Sequence, residues 1–309
     1  MNKKGEGEAL SISGTFPVPD RLGLIATDLD GTLIPHGGTV SQRTIDSLAA
    51  AAAEGIHVVF VTGRPPRWLR PVIDVTGHDG YAIGANGTVL LDLAAGTTDV
   101  IQALAPTTVV RLAEVLRAAV PDVVFGVETV DDIRVESGFL AARRERPAEG
   151  LAPRRPVSAP QADDVADLLD EDPIIKMIAV SPGSTPDQLL SVGSKVVGDL
   201  ATTTHSSVGT AMIELSPPGV TKASTLASLA ARLEVAADRV ISFGDMPNDL
   251  SMLRWSGLGY AMSGGHPEAL AAADHLAPPA LEDGVAQVLE TYLADLRLTT
   301  GSRGTSRPG

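Results

Sequence analysis

Hydrophobic and polar residues follow two alternating patterns that predict strands and helices in succession. Residues 22–27 form a short apolar run, typical of a strand buried on both faces. After Ser41, apolar residues recur with a helical period up to Gly55, which predicts a capped amphipathic helix. A second apolar run, residues 56–61, follows. This succession predicts a β-α-β unit with parallel strands.

The same succession returns near the C-terminal end. Residues 226–233 have the apolar spacing of a helix, residues 240–244 form a third apolar run, and residues 255–263 and 273–278 contain further short strands. The two blocks together predict one α/β domain, a Rossmann-like core with a mostly parallel sheet.

The region between the blocks has a different pattern. Residues 123–129 and 132–137 alternate like a hairpin around Asp131 and Asp132, and helical faces at 109–116 and 189–196 flank strand-like runs at 173–181 and 200–207. We therefore predict an inserted α+β domain over residues 96–210, with the core over 21–95 and 211–297. Residues 1–20 are expected to be a flexible extension and residues 298–309 a disordered tail.

Composition narrows the classes of partner. The chain has 309 residues, a net charge of −14 and only 3% aromatic residues, which argues against binding to nucleic acid or to anionic membranes. It has no cysteine, so disulfide and thiolate chemistry are excluded. No apolar segment resembles a signal peptide or a membrane span, and we expect a cytoplasmic protein that is a monomer or a weak homodimer.

Polar residues follow the three apolar runs of the core. Asp28, Thr62 and Asp245 stand where parallel strands end, and such strand ends meet at one edge of the sheet, where ligands bind. Asp30 follows Asp28 by two residues. Lys222 begins a helix at the same edge, and we expect it to lie outside the hydrophobic core.

Several carboxylates with one lysine predict a site for a divalent cation and a phosphate group. Like charges at the edge of a core repel each other, and a hard cation such as Mg²⁺ would offset that repulsion with oxygen ligands. Gly31 lets the backbone turn so that its N–H groups face the phosphate. Asp249, one turn beyond Asp245, adds a further carboxylate.

Four short segments resemble the motifs of a known superfamily. DLDGT at 28–32, TGR at 62–64, Lys222 and GDMPND at 244–249 resemble the four motifs of the haloacid-dehalogenase-like hydrolases. IGANGTVL at 83–90, IELSPPGVTKASTL at 213–226 and AMSGGHPEALAAADH at 261–275 are similar to the Cof-type sugar-phosphate phosphatases, which carry a C2 cap between the second and third motifs. The resemblance covers residues 22–295.

The resemblance implies a role for each matching residue. Asp28 would be the nucleophile and Asp30 the general acid and base. Mg²⁺ would bind to Asp28, to Asp245 and to the backbone carbonyl of Asp30. Asp249 would orient Lys222 and metal-bound water. The phosphate would be held by the following residues: Leu29 (through its backbone), Thr62, Gly63, Lys222 and Asn248.

The implied activity is hydrolysis of small phosphorylated metabolites through an aspartyl phosphate, with the insertion as a cap that closes over the site. Two alternatives stay open. A substrate hydroxyl in place of water would make the protein a phosphotransferase or mutase. A site that no longer turns over would make it a metabolite-binding regulator.

The resemblance assigns no specific role to a few polar residues, among them Arg64 of the TGR segment, which we expect to support the site. Arg64 either reaches toward substrate or cap, or pairs with an acid. Arg143, Arg144 and Arg146 belong to a predicted surface loop, although contact with an anionic substrate is an alternative. The six histidines show no metal-binding spacing and are interpreted as structural, with a place in the cleft as the alternative for His205 and Ser206.

Overall fold

The structure is a computed structural model that describes residues 16–18, 21–143, 151, 159–207 and 209–303, with backbone alone for 297–303. The predictions for residues 1–15 and 19–20, for Arg144 and Arg146, and for residues 304–309 lie outside the described residues. Phe16 is buried in the core and a helix continues to Arg303, so the predicted extension and tail were wrong at residue 16 and at residues 298–303. Within the described ranges the chain forms two sheets, one in the core and one in the insertion.

The core sheet has eight strands among the described residues, in the order β14-β13-β12-β1-β2-β3-β4-β5. The first six strands in that order are paired in parallel, and β4 is antiparallel to both of its neighbours, β3 and β5. Their bounds are β1 Leu24–Thr27, β2 His57–Val61, β3 Tyr81–Gly84, β4 Val89–Asp92, β5 Thr97–Val100, β12 Val240–Gly244, β13 Leu258–Met262 and β14 His275–Ala277.

Helices cover both faces of the core sheet. These are α1 Gln42–Ala53, α2 Arg70–Thr76, α6 Lys222–Arg232, α7 Leu250–Trp255, α8 Pro267–Ala272 and α9 Gly284–Arg303. Leu48 of α1 and Val288 of α9 pack in one apolar cluster, whereas Leu226 of α6 and Met252 of α7 pack in another. As predicted, the Ser41 hydroxyl caps α1 by accepting a hydrogen bond from the N–H of Thr44 at 3.1 Å.

The insertion is an α+β cap built on a six-stranded sheet, counted over the described residues, in the order β10-β11-β9-β6-β7-β8. The cap elements are α3 Pro106–Ala119, β6 Val124–Glu128, β7 Ile133–Glu136, α4 Phe139–Ala142, β8 Gln161–Ala162, β9 Lys176–Val180, α5 Pro186–Val197, β10 Thr202–Thr204 and β11 Met212–Ser216. The predicted hairpin is present as β6 and β7, with Asp131 and Asp132 in its turn.

The predicted fold class is confirmed. The sheets that β5 and β11 join, however, place both boundaries of the insertion differently from the prediction. β5 pairs with β4, so the core continues to Val100 instead of residue 95. β11 pairs with β9 and β10, so the cap continues to Ser216 instead of residue 210. The alternating pattern of residues 212–216 predicts a strand, but it does not say which sheet that strand joins.

Strand alternation gives the cap sheet one apolar face and one face with buried charges. Met177 and Ala179 of β9 pack against α3 and α5 in the cap's main cluster. Lys176 therefore points the other way, and its cross-strand partner in β6 is Glu128. Glu214 of β11 lies on the same face, which is turned toward the carboxyl edge of the core sheet.

No helix within the described ranges combines the length and the apolar character needed to cross a membrane.

Candidate active site

The carboxyl ends of three neighbouring core strands carry the predicted polar residues. Because β1 is paired in parallel with both β2 and β12, Asp28, Thr62 and Asp245 follow directly at one edge of the sheet. Carboxylate oxygens of Asp28, Asp245 and Asp249 lie within 4.8 Å of one another, and all three side chains are buried. The structure thus brings together residues from opposite ends of the core sequence.

Lys222 is the cation at the centre of this group. It is the first residue of α6, and its ammonium lies 2.5 Å from Asp28 Oδ1 and 2.6 Å from Asp249 Oδ1. The side chain is fully buried, and it lies at the predicted edge of the sheet, between two carboxylates.

Asp249 fixes the geometry of the loop after β12. Its Oδ2 accepts hydrogen bonds from the backbone N–H groups of Asp245 and Met246, at 2.9 and 3.0 Å, while its Oδ1 binds Lys222. This arrangement agrees with the orienting role that the family resemblance implies.

The carboxylates exceed the local positive charge. Burial, followed by repulsion from Asp249 and Asp30 and only partly offset by Lys222, raises the pKa of Asp28 to about 7. Burial and then repulsion from Asp28 and Asp249 raise the pKa of Asp245 well above its usual range. Two acids in this state fit a bound cation, because a cation stabilises the charged form of each.

Backbone geometry at Gly31 is consistent with such a site. Gly31 has a φ of +86°, and a side-chain carbon there would lie 2.2 Å from Asp245 Oδ2. Thr32 donates a hydrogen bond to Asp245 Oδ1 at 3.1 Å, which leaves Oδ2 of this carboxylate directed at the space beside Gly31. Only glycine fits between the two acidic loops.

Asp30 is turned away from the three buried carboxylates. Arg64 binds it through two hydrogen bonds, Nε to Oδ2 at 2.7 Å and Nη2 to Oδ1 at 2.5 Å. The Arg64 side chain is buried, whereas 44% of the Asp30 side chain is exposed toward the cavity between core and cap. Of the alternatives for Arg64, the structure shows pairing with an acid, and that acid is the predicted acid–base group.

The predicted phosphate-binding residues surround the same point. The Thr62 hydroxyl accepts a hydrogen bond from the N–H of Arg64 at 3.1 Å, so its own proton is available to a ligand. The Asn248 amide donates to Asn86 Oδ1 at 3.0 Å. Gly63 lies against both asparagines, and Leu29 is fully buried, with its carbonyl accepting from Leu33 and Ile34 in the turn.

Comparison with known proteins decides the family. The sequence profile of the haloacid dehalogenase-like hydrolases matches residues 25–289. The chain belongs to the haloacid dehalogenase-like hydrolases. The predicted membership is thereby confirmed, and with it the class of phosphoric monoester hydrolase.

Two relatives of this hydrolase match it over nearly their whole length. The pyridoxal phosphate phosphatase YbhA of Escherichia coli is 28% identical over 273 residues, which is 87% of this chain and 98% of that protein. The 5-amino-6-(5-phospho-D-ribitylamino)uracil phosphatase YitU of Bacillus subtilis is 25% identical over 287 residues, 88% of this chain and 97% of its own.

Solved structures have the same fold. A haloacid dehalogenase-like hydrolase from B. subtilis has a TM-score of 0.73 at 23% identity, with 87% of this chain and 99% of that chain covered. The subclass IIB sugar phosphatase BT4131 has a TM-score of 0.72 at 21% identity, with 87% and 98% covered. At these identities the likeness supports the fold alone.

The cap supplies the other wall of the hydrolase's cavity. A cavity of about 150 Å³ lies between the acidic loops and the charged face of the cap sheet. Its lining includes Asp28, Asp30, Thr62, Gly63, Arg64, Trp68, Glu128, Arg143, Lys176, Ile178, Ser206, Met212, Glu214, Met246 and Asn248. Of the residues left open by the sequence, Arg143 and Ser206 therefore reach the cleft.

Buried charges in this wall were not predicted. The Lys176 ammonium lies 2.5 Å from Glu214 Oε1 and 2.9 Å from Glu128 Oε2, and Arg67 of the core binds Glu128 Oε1 at 2.6 Å. The nearby carboxylates outweigh the effect of burial and raise the pKa of Lys176 above its usual value, although burial alone would lower it. Each of these residues stands alone in the sequence, where it looks like a charged residue on the exposed face of a strand.

His205 lies in a separate polar contact between cap and core. His205 of the cap and His266 of the core both place Nε2 near Asp187 Oδ1, at 3.1 and 3.3 Å. His266 Nδ1 accepts from the N–H of Glu268, so Nε2 carries the proton and donates to the carboxylate. This tautomer favours a hydrogen-bonded contact over metal binding at His266.

Proposed function

We propose that this chain is a Mg²⁺-dependent phosphatase that hydrolyses small phosphorylated metabolites, among them sugar phosphates, through an aspartyl phosphate on Asp28. The observation that carries the proposal is the position of Lys222, buried between Asp249 and Asp28, the carboxylate that lines the cavity. A lysine so placed neutralises charge on a phosphoryl group next to the carboxylate that attacks it.

Asp28 is the proposed nucleophile because it is the acid at the base of the cavity that touches Lys222. Its carboxylate attacks phosphorus, the bond from phosphorus to the leaving oxygen breaks, and the phosphoryl group passes to Oδ. Asp30, exposed in the same cavity, gives its proton to the leaving oxygen and then takes one from the water that hydrolyses the aspartyl phosphate. Arg64 holds Asp30 in place for both transfers.

The chain's residues fit a magnesium ion. Asp28, Asp245 and the Asp30 carbonyl offer hard oxygen ligands of the kind that Mg²⁺ prefers over softer metals. When bound, the ion neutralises charge on the phosphoryl group and keeps Asp28 ionised. Thr32 and Asp249 hold the loops that carry these ligands.

The cavity supports a small, polar leaving group. Its volume of about 150 Å³ lies below the roughly 300 Å³ at which pockets for drug-sized ligands begin. Charged and hydroxyl side chains dominate the cap wall, and Trp68 adds one aromatic ring. The relatives named above are phosphatases of pyridoxal phosphate and of 5-amino-6-(5-phospho-D-ribitylamino)uracil, which supports small, polar phosphate esters as substrates.

Amide variants of the two acids test the mechanism. With an activated aryl phosphate, Asp30→Asn should accumulate an aspartyl phosphate, because departure of the leaving group needs little protonation whereas attack by water still needs a base. Asp28→Asn should form no adduct, because the attacking oxygen is gone. Intact mass measured on rapidly quenched protein shows the adduct as one added phosphoryl group.

The requirement for metal is tested on the wild type, which is assayed with and without chelator. Turnover of a panel of phosphorylated metabolites should stop in excess chelator and return with Mg²⁺. An adduct on Asp28→Asn, or full activity in chelator, would show that the proposed roles are assigned to the wrong groups.

A further inference from the structure

We propose that Glu214 of the cap and Asn86 of the core are positioning residues that orient the phosphate-binding Asn248 when the cap docks. This inference rests on the proposed function, because it concerns the phosphate site of the same cavity. It assigns to the cap a part in binding the phosphoryl group itself, besides any part in recognising the leaving group.

Three side chains form a relay from cap to core. Glu214 Oε2 accepts a hydrogen bond from Asn86 Nδ2 at 3.0 Å, and Asn86 Oδ1 accepts one from Asn248 Nδ2 at 3.0 Å. Asn86 and Asn248 are 3% and 8% exposed, and Glu214 is 4% exposed, so water does not compete for these bonds. The orientation of the Asn86 amide is set by Glu214, because only its NH₂ group can face a carboxylate.

With Asn86 so oriented, its oxygen faces Asn248. That choice fixes the Asn248 amide with one N–H on Asn86 and the other directed elsewhere in the site. Asn248 Oδ1 has no hydrogen-bond partner among the described residues, so no other contact of this oxygen determines the orientation of the amide. If Asn86 turned over, two NH₂ groups would face each other and Asn248 would have to turn as well.

Lys176 holds Glu214 in place and ties the cap to the same turn of the core. Its ammonium binds Glu214 Oε1 at 2.5 Å and donates to the carbonyl oxygen of Gly63 at 2.9 Å. Gly63 packs directly on the relay, since a side-chain carbon there would lie 3.0 Å from Asn86 Oδ1 and 3.5 Å from Asn248 Nδ2. The docked cap therefore acts on both Gly63 and Asn248.

The backbone at Asn86 indicates that this position is specified by more than local preference. Ala85, Asn86 and Gly87 all have positive φ, at 48°, 58° and 109°. Such a conformation is unfavourable for alanine and persists where surrounding contacts fix it. Here the N–H of Asn86 donates to the Thr62 carbonyl at 3.0 Å, which joins the relay to the loop of another proposed phosphate-binding residue.

Burial of the charged side chains of the cap costs desolvation free energy, and the proposed role accounts for their presence. A buried charge set stabilises a fold weakly at best, because desolvation opposes the attraction. Glu128, Lys176 and Glu214 nevertheless face the catalytic cavity and not solvent. Their arrangement serves the contact between cap and core, because Glu214 and Lys176 both bind core groups next to the phosphate site.

Two single variants and their combination test the relay. Asn86→Asp keeps the size and the tolerance of positive φ, but it replaces the donor that faces Glu214 with a carboxylate oxygen. Glu214→Gln leaves only one side-chain oxygen as an acceptor, whereas the hydrogen bonds from Lys176 and Asn86 need one oxygen each. In the double variant, the side-chain amide introduced at position 214 can donate to the carboxylate introduced at position 86. Its oxygen still accepts from Lys176, so the pairing is restored with the charge of the wild type.

The measurement is the inhibition constant of inorganic phosphate, with p-nitrophenyl phosphate as substrate and Mg²⁺ saturating. We expect each single variant to weaken phosphate binding about 10-fold or more, as for loss of a buried hydrogen bond, and the double variant to return within about 3-fold of the wild type. Glu214→Gln is decisive, because removal of a negative charge would by electrostatics alone tighten the binding of an anion.

Asp172→Asn is the control within the cap. Asp172 pairs with Arg134 in the cap, and no contact of its carboxylate with the core is seen among the described residues. This variant should leave the inhibition constant unchanged. Thermal unfolding of each variant in the same buffer confirms that folded protein is compared.

The outcomes separate the two hypotheses. A wild type that neither turns over phosphate esters nor binds phosphate overturns the proposed function and this inference with it. A wild type that does both, with Glu214→Gln binding phosphate as tightly or more tightly, overturns only the relay. Weakened single variants without recovery in the double variant also overturn it, because the effect would then not come from the pairing.

Discussion

Replacement of Asp245 by asparagine should stabilise the metal-free protein while removing its response to Mg²⁺. The Asp245 carboxylate is buried beside Asp28 and Asp249, and Lys222 is the lysine that contacts this group. An asparagine has nearly the same shape and can still accept the hydrogen bond from Thr32. The variant therefore removes a buried charge without opening a cavity, but it also removes a proposed ligand.

The magnitude follows from the neighbouring acid. A pKa of about 7 at Asp28, against an ordinary value of 3.8, corresponds to about 4 kcal/mol of destabilisation when that carboxylate is charged. The pKa of Asp245 is raised by the same causes, burial first and then repulsion. Replacing buried charges by neutral groups of similar shape is typically stabilising by about 1–4 kcal/mol, and we expect Asp245→Asn to fall in that range above pH 7.

The pH dependence has a definite sign. The folded state holds a proton on Asp28 more tightly than the unfolded state does. The stability that the protein gains from this proton is therefore fully present below about pH 4. It is lost as the pH rises through the window from 3.8 to about 7. Mg²⁺ competes with that proton, so the ion should stabilise the wild type more at pH 8 than at pH 5.

Thermal unfolding in chelator and in saturating Mg²⁺, at pH 5 and at pH 8, measures all of these effects. Each kcal/mol should appear as a shift of about 2–4 °C in the melting temperature. Asp249→Asn is a useful comparison. Asp249 binds Lys222 and two backbone N–H groups, so its replacement should destabilise the protein. If Asp245→Asn unfolds at a lower temperature than the wild type in chelator at pH 8, the reasoning about excess charge is refuted.

Two further predictions follow from buried cationic and imidazole groups. Lys222→Met should lower kcat/KM about 100-fold or more and destabilise the fold by about 3–5 kcal/mol at pH 8, because Asp28 and Asp249 lose their counter-ion. The loss of stability should shrink toward pH 5 as Asp28 takes up a proton, and a variant as stable as the wild type at pH 8 would contradict it. Burial lowers the pKa of His78, so its contribution is lost as the pH falls below about 6.5. Unfolding of His78→Gln in denaturant should depend less on pH between 7 and 5 than that of the wild type, and an equal slope would exclude this group.

The sequence predicts the catalytic edge well because the relevant signals are local. Asp28, Thr62 and Asp245 each follow an apolar run, and parallel pairing requires only that those runs be neighbouring strands. The capping of α1 by Ser41 is equally local. In both cases a few adjacent residues carry the whole argument.

Features that depend on docking of the cap are not visible in the sequence. Asn86 and Glu214 are 128 positions apart, and nothing in either neighbourhood indicates that they share a hydrogen bond. The same holds for Lys176 and the Gly63 carbonyl. Asn86 does carry a weak local signal, since Ala-Asn-Gly is a composition that favours positive φ, but this signal predicts a turn and no partner.

Burial of Lys222 is likewise not visible in its own part of the sequence. The first residue of a helix has its backbone N–H groups exposed in isolation, so a solvated lysine is the expected arrangement. In the folded chain, the cap strand β11 ends at Ser216 and α6 begins at Lys222. The Lys222 side chain is fully buried because it extends to the carboxylates of Asp28 and Asp249.

The charged face of the cap sheet constrains how new specificities can arise in this lineage. A cap transplanted from another phosphatase at Val100 and Ser216 would bring its own leaving-group contacts, but it would have to supply equivalents of Lys176 and Glu214 to meet Gly63 and Asn86. Cap residues such as Ile178 and Met212 line the same cavity and lie outside the relay. Laboratory evolution toward new substrates should therefore accumulate substitutions at such positions and leave the two charged residues unchanged.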